Sequence, residues 1–459
     1  MASHLSVKLG FKVLAKDFMD YCETFTDLFT CHRKNNTGTA HQYLCGLLQA
    51  PKRNMERMEE VVEGADYEAT QQFISNSPWN AQAVMDRVAR EVDGILGGST
   101  DTCLVLDESG FTKKGKASVG VARQYNGRLG KVDNCQVAVF GALCAGNRHC
   151  LVDTRLYLPN EWVEDIGRCR KVKVPEDRIE SRTKIELAED IVRHQREIGT
   201  RFSFICADGL YGNSGDFIRK LDDMDETFVV HVHADQQVYL RDPKPEVPEK
   251  SSSKGRSPTK PRSSVTPLRV DKLKIRRRDW RKVVLRDSTE GALEAFVYRR
   301  TVWCWDGKEE KAKKWTLLIR KDISGDVKYC LSNVDKSVET ERIASMEAQR
   351  YWVERSFQDG KSTVGMDEYQ VRGWVAWHHH MAMSMMALLF ILKQKVIHGD
   401  VEPLLSANDI RCLLVSLLPL RNRTFKEVLR QMEVRHVKRQ AASESKAKLK
   451  MNQHLKLPK

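Results

Sequence analysis

The chain has 459 residues, 41% of them apolar, which excludes a disordered polymer and supplies core for two or three domains. Lys and Arg number 76 against 62 Asp and Glu, a net charge of +14 that draws in polyanions such as nucleic acid, although a basic surface kept for solubility fits equally. The 12 cysteines never fall as C-x-x-C, and neither an apolar leader nor a bilayer-length apolar run is visible (the longest is Met381–Leu392), so the expectation is a soluble cytoplasmic protein with reduced thiols.

Residues 1 to about 95 read as helical. Phe18, Tyr21, Cys22 and Phe25 recur at helical spacing, as do Tyr43, Leu44, Leu47 and Leu48, and Val84, Val88 and Val92. His32, Arg33, Lys34, Lys52 and Arg53 lie between these helices, as they would in a DNA-binding domain or in the polar loops of any bundle. From about residue 100 the pattern changes. Thr102–Asp107, Gln136–Leu143 and Cys150–Leu158 read as strands. Thr183 and Glu186 form a capping box that opens a helix closed by Gly199. Strand Phe202–Ala207, a helix carrying Phe217, Ile218 and Leu221, and strand Thr227–Val232 complete a mixed α/β sheet.

Asp242–Pro267 holds six of the 13 prolines among Ser, Lys and Arg and reads as a flexible basic linker. Lys282–Leu285, Ala295–Trp303, Trp315–Arg320 and Lys328–Leu331 then alternate like the strands of a small β domain. A long helix is predicted from near Val338 past Phe357, followed by helices holding Met381–Leu392 and Leu413–Leu420. The end, Arg435–Lys459, carries eight Lys or Arg against one Glu and reads as a loose basic tail.

Asp107 and Asp208 each follow a buried apolar run, LVLD and FICAD. If those strands are parallel neighbours, both carboxylates reach one sheet edge; an Asp that merely starts a turn would look the same. Gly110, Gly209 and Gly212 nearby leave room for a phosphate backbone. On the later helix, Arg350, Glu354 and Lys361 share one face, either as an exposed ion-pair ladder or as a metal ligand between two phosphate-binding cations. Three carboxylates brought to a point are what divalent metal ions require for phosphoryl transfer.

The ordered set of strand Asp, strand Asp and helix Glu resembles the DDE superfamily endonucleases of bacterial insertion-sequence transposases. The stretches that carry the resemblance are LDESGFTKKGKASVGVARQYNGRLGKVDNCQVAV, ICADGLYG and YWVERSFQDGKSTVGMDEYQVRGWVAWHHHM. The resemblance implies an α/β RNase H-like core, a mixed sheet with flanking helices, preceded by a helical N-terminal domain and interrupted by a β-rich insertion before the Glu helix. The corresponding segments are 1–95 (helical, DNA-binding), 96–240 (first part of the core), 241–335 (linker and β insertion), 336–395 (second part with the Glu helix) and 396–459 (helices and basic tail). It implies two Mg²⁺ ions, with Mn²⁺ able to substitute, on Asp107, Asp208 and Glu354. Asp107 would bridge the ions while the other two take one each. The implied partners are transposon-end and target DNA, with a homodimer in the synaptic complex and nucleoid association when bound.

A subset of that family shares a Tyr, Arg, Glu, Lys signature. Arg350, Glu354 and Lys361 match it, but Glu347 stands where the Tyr is expected. The carried-over role of Arg350 and Lys361 is phosphate contact. Lys113, Lys114, Lys116, Arg123 and Lys131 follow the first Asp and read as phosphate contacts or as a solvated hairpin. Arg372 reads as a DNA contact or a brace for Glu354. Trp303 and Trp305, near Arg299 and Arg300, either stack a DNA base or pack. His378, His379 and His380 are consecutive on a helix, cannot face one metal, and read as structural. A stand-alone endonuclease of this fold and a catalytically idle DNA-binding regulator are the competing functions.

Overall fold

The computed structural model describes residues 11–31, 34–248, 258–288 and 291–454. His32 and Arg33 lie outside them, as do residues 249–257 of the expected linker and 455–459 of the expected tail. The chain divides into two compact units, Met1–Phe73 with Arg411–Lys459, and Ile74–Ile410.

In the first unit, helices form at Leu14–Glu23, Thr37–Gln49 and Met55–Val61. Their apolar stripes are buried, with Phe18, Leu44, Leu47 and Leu48 fully inside. Arg53 is buried too, its Nε donating to the Leu47 carbonyl at 3.3 Å, so it closes a helix end. Lys34 and Lys52 stay exposed. The far end of the chain folds back here. Gln49 Nε2 donates to the carbonyls of Leu418 and Pro419 at 3.3 and 3.1 Å. The stretch expected to be a loose tail is a helix, Phe425–His454. Composition hid this because its order comes from tertiary partners. Arg430 meets Glu59 at 3.2 Å, Arg435 meets Glu60 at 3.5 Å, and the Lys438 ammonium lies 3.0 Å from the Tyr67 ring centre.

The second unit is built on ten strands: β1 Cys103–Thr112, β2 Ala122–Asn126, β3 Lys131–Ala145, β4 Arg148–Leu156, β5 Phe204–Ala207, β6 Phe228–Val232, β7 Arg281–Ser288, β8 Gly291–Cys304, β9 Lys313–Asp322 and β10 Val327–Ser332. They run in the order β7-β8-β9-β10-β6-β5-β1-β3-β2, with β4 also on β3. Only the β1–β5 and β5–β6 pairs are parallel. β5 is buried at every position, as a parallel strand covered on both faces must be. The four strands expected to make a β domain of their own instead extend this sheet. β10 satisfies the edge of β6, with Tyr329 opposite Val232 and Ser332 opposite Val229.

Helices flank the sheet: α1 Ala81–Leu96, α2 Lys184–Glu197, α3 Thr340–Ala348, α4 Tyr351–Ser362 and α5 Trp374–His398. α2 begins at the capping box read from Thr183 and Glu186. α5 is much longer than its apolar run suggested. Its length and composition would suit a membrane span, but 89% of its apolar window is buried inside the unit, against α1 and β4. Its apolarity is that of a core helix. The single long helix expected from Val338 breaks into α3 and α4 at Gln349–Arg350. There the bonds tighten to three-residue spacing, Arg350 N to Glu347 O at 3.2 Å and Val353 N to Arg350 O at 3.4 Å.

Candidate active site

The parallel register of β1 and β5 pairs Leu106 with Ala207. β5 stops there, and the next residues on the two strands are Asp107 and Asp208. β1 itself does not end at Asp107, as its sequence suggested, because β3 continues to pair with it as far as Thr112. Asp208 caps the short turn Gly209–Gly212, its carboxylate accepting from Leu210 N at 2.9 Å. Asp107 is nearly enclosed, with 14% of its side chain exposed, and accepts from Glu108 N at 2.7 Å. Burial and then the Asp208 charge push its carboxyl up to about 7, against the pull of Arg350.

The break between α3 and α4 aims Arg350 into this corner. Its guanidinium lies 3.5 Å from Asp107 and 2.7 Å from Glu354. Glu354, one turn into α4, is half-exposed and faces the same corner through that contact. Arg350 is held charged by Asp107, Glu354 and Asp208 despite the cost of its burial. The structure therefore brings together Asp107, Asp208, Arg350 and Glu354. Lys361, two turns further along α4, donates to the Gly110 carbonyl at 3.3 Å.

Three groups here had no sequence signal that set them apart. Glu108 bonds Lys184 of α2 at 2.8 Å, and its other oxygen and the Tyr211 hydroxyl are buried, the phenol interacting with the Glu108 carboxylate. The Tyr211 phenol is pushed up by burial and by the charges of Glu108, Asp107 and Asp208. Adjacency of Glu108 to Asp107 was a hint, but strand alternation argued against it. The glycines have a different use from the one expected. A Cβ on Gly212 would lie 1.9 Å from the His231 carbonyl of β6, and one on Gly110 would lie 2.7 Å from Asn126 Oδ1. Their smallness admits neighbouring protein.

The other residues named from sequence are dispersed. Lys113 is half-buried, its ammonium 3.3 Å from the Tyr369 carbonyl and 3.4 Å from that ring's centre; burial lowers it to about 8. Lys114, Arg123 and Lys131 are exposed on and before the β2–β3 hairpin, and Arg372 is exposed beyond α4. Trp303 is half-buried, with its backbone paired to Tyr239 at 2.8 Å in both directions and the Lys314 ammonium 5.2 Å from the ring centre. Trp305 donates to the Glu309 carbonyl at 2.9 Å. The three histidines diverge to separate carbonyls: His378 to Trp374, His379 to Ile74 and Trp79, and His380 to Met366.

Glu347, the departure from the expected Tyr, points away from this corner into the sheet. It is 2% exposed, pairs with Arg320 of β9, and contacts His231 Nε2 of β6 at 2.6 Å. His231, Cys330 and Glu347 bring ligand-type atoms within 4.8 Å of one another, but Arg320 already supplies the positive charge there.

The sheet's parallel strands deliver two Asp to one edge, and a helix adds Glu and Arg beside them. A family model described as DDE superfamily endonuclease matches residues 24–292, over half of the chain, and the chain belongs to that family. The match includes Asp107 and Asp208 and ends before Glu354. The chain is similar to the "Probable transposase for insertion sequence element IS701" of Microchaete diplosiphon, 29% identical over 226 residues, which are 48% of this chain and 55% of that protein. It thus spans about half the length of that curated relative. Among solved structures, a piggyBac transposase synaptic complex with hairpin DNA aligns over 89% of this chain and 80% of that one, at a TM-score of 0.37 and 11% identity.

Family membership implies a divalent metal ion, and the two Asp are chemically suited to one, although among the described residues Asp107, Asp208 and Glu354 do not gather within 4.8 Å of one another as His231, Cys330 and Glu347 do. Asp107 and Asp208 are hard oxygen donors forced together at a buried edge, where their repulsion raises the Asp107 carboxyl. A cation there would relieve what Arg350 offsets only in part.

Proposed function

We propose that the chain is a DNA transposase that cleaves at the ends of a mobile element and joins the freed ends to target DNA on an RNase H-like core. The observation that carries this is the β1–β5 register, which sets Asp107 beside Asp208, with Arg350 tying Asp107 to Glu354. The relative's transposase name supports the choice of reaction within the nuclease family.

In this reading Asp107, Asp208 and Glu354 would hold two Mg²⁺ ions, replaceable by Mn²⁺. Bound there, the ions would polarise the scissile phosphate and ease both attack and departure of oxygen. The chain's own groups do the rest. Asp107 and Asp208, fixed by the sheet, would set where the cations, and through them the phosphate, come to lie. Arg350 and Lys361 take its non-bridging oxygens, with Arg350 pre-aimed by the α3–α4 break. Water attacks the scissile phosphorus in cleavage and the 3′-oxygen leaves, taking up a proton; the released 3′-hydroxyl then attacks a target phosphorus in joining and the target's 3′-oxygen leaves. Two protomers holding two ends would make joining concerted.

The test is incubation of the purified chain and Mg²⁺ with a plasmid carrying the inverted repeats that flank its gene. Paired-end complexes and joined products are expected. Hydrolysis without joining would replace the proposal with a stand-alone endonuclease, and binding without any cut would make the chain a regulator.

Lys114 and Lys131, exposed towards the β2–β3 hairpin end of the sheet, serve here as phosphate contacts. Their double alanine variant is expected to flatten the salt dependence of DNA binding by roughly two units of log–log slope. An unchanged slope in a fluorescence-anisotropy titration would return them to a solvated hairpin.

A further inference from the structure

Between Lys272 and Lys282 the sequence KLKIRRRDWRK carries seven cations and one acid. All seven cationic residues are exposed. Lys272 meets Asp271 at 4.0 Å, Arg276 meets Asp279 at 3.1 Å and Lys282 meets Glu294 at 2.6 Å. Among the described residues, Lys274, Arg277, Arg278 and Arg281 have no acid within ion-pair distance. Arg276, Arg278 and Arg281 line a groove of about 830 Å³ together with Arg299 and Lys336, and the acids Asp279, Glu339 and Glu341 line it too, so cations outnumber acids five to three. Arg299 is spent on the turn before α3, donating to the carbonyls of Val338, Asp335 and Lys336. The arginines of the segment are therefore those with donors to spare. Like charges set this close repel unless an anion lies among them. Arg277, Arg278 and Arg281, without an ion-pair partner of their own, offer more guanidinium forks than one small anion can use, and they match a run of phosphates.

The position of this segment gives it a substrate. It leads into β7, and near the other end of β7 the Arg286 guanidinium lies 4.0 Å from the ring centre of Tyr351, the residue after Arg350. β7 thus runs from the basic segment to the edge of the acidic corner. From Arg286 back to Arg281 is five residues, roughly 17 Å of strand, or about five base pairs of duplex at 3.4 Å each.

We infer that residues 272–282 form a phosphate-backbone track that holds the DNA duplex about five or more base pairs from the scissile bond, with Arg277, Arg278 and Arg281 as its principal contacts. This rests on the transposase reading and adds a second grip to it, separate from the acidic corner. The phosphates held there carry no sequence information, so the track fixes the angle and reach of the duplex rather than its identity.

The test uses the full chain with Arg277→Ala, Arg278→Ala and Arg281→Ala combined, checked for an unchanged Tm, on a duplex containing the cleavage site. The salt slope of binding is expected to flatten by about two to three units, at roughly 0.9 per phosphate contact. Ethylation interference should lose its signals at phosphates about five or more base pairs from the cut and keep those at the cut. The matching triple lysine variant keeps the charge and should keep most of the slope. If the wild-type protein binds and cuts this DNA while the alanine variant shows the same slope and interference pattern, the track is wrong and the transposase reading stands. A lysine variant as impaired as the alanine one would also overturn an electrostatic track. A wild-type protein that binds no DNA would overturn both.

Discussion

Asp107→Asn is expected to remove metal-dependent DNA cleavage, by roughly a thousand-fold or more, while leaving DNA binding near its wild-type strength. The substitution keeps the size of the side chain and a hydrogen-bonding oxygen for Glu108 N, so the β1 strand has no reason to move. What it removes is the charge at the point where β1 and β5 part. Asparagine cannot share a cation between two positions as a carboxylate can. Binding should survive because the phosphate contacts lie on other residues, and one less negative charge beside a polyanion does it no harm. Asp208→Asn and Glu354→Gln should lose cleavage in the same way. Supercoiled plasmid nicking, with gel-shift binding measured alongside, separates the two effects. Full cleavage by the Asp208 variant would take that residue out of the site. Loss of binding in all three would mean that the corner holds DNA rather than cutting it.

What could be read from the sequence depended on whether a signal was local. The buried runs LVLD and FICAD, the capping box at Thr183 and the helical stripes of the first unit are local, and the structure forms them where the pattern placed them. That Asp107 and Asp208 meet was conditional on strand pairing, which only the parallel β1–β5 register supplies. The start of the tail differs from expectation because Arg435 and Lys438 find Glu60 and Tyr67 only after folding. The strands from Arg281 to Ser332 were visible by alternation, but alternation does not say which edge a strand joins, so their continuity with β6 was hidden. The helix break at Arg350 had no Pro or Gly to announce it. Just before it, Glu347 is held by Arg320 and His231, contacts distant in sequence.

Glu347→Met is expected to destabilise the second unit by about 3–5 kcal/mol, the usual cost of removing one partner of a buried ion pair. Arg320 is 7% exposed and would keep only Asp322, at 2.9 Å, as an acidic partner. Adding Arg320→Met should recover much of the loss, because two apolar side chains leave no stranded charge. Glu347→Tyr, although it restores the residue of related signatures, should be no better than methionine. The phenol would enter a space already filled by Arg320 and His231. Burial alone would raise the Glu347 carboxyl, but His231 and Arg320 outweigh it and bring it down to about 2. Its stabilising contribution is therefore present above the ordinary carboxylate range, near 4.3, and is lost as pH falls from there towards 2. Urea melts at pH 7, 4.5 and 3 should show the wild-type advantage over the methionine variant shrinking across the last step. An advantage that is flat with pH would mean Glu347 contributes packing and not charge. Because Glu347 sits three residues before Arg350, the methionine variant at a temperature where it remains folded should also cut DNA more slowly, through a loosened α3–α4 break. That slowing should be rescued by Glu347→Gln only as far as glutamine keeps its bond to His231, which distinguishes holding the break from simple loss of folded protein.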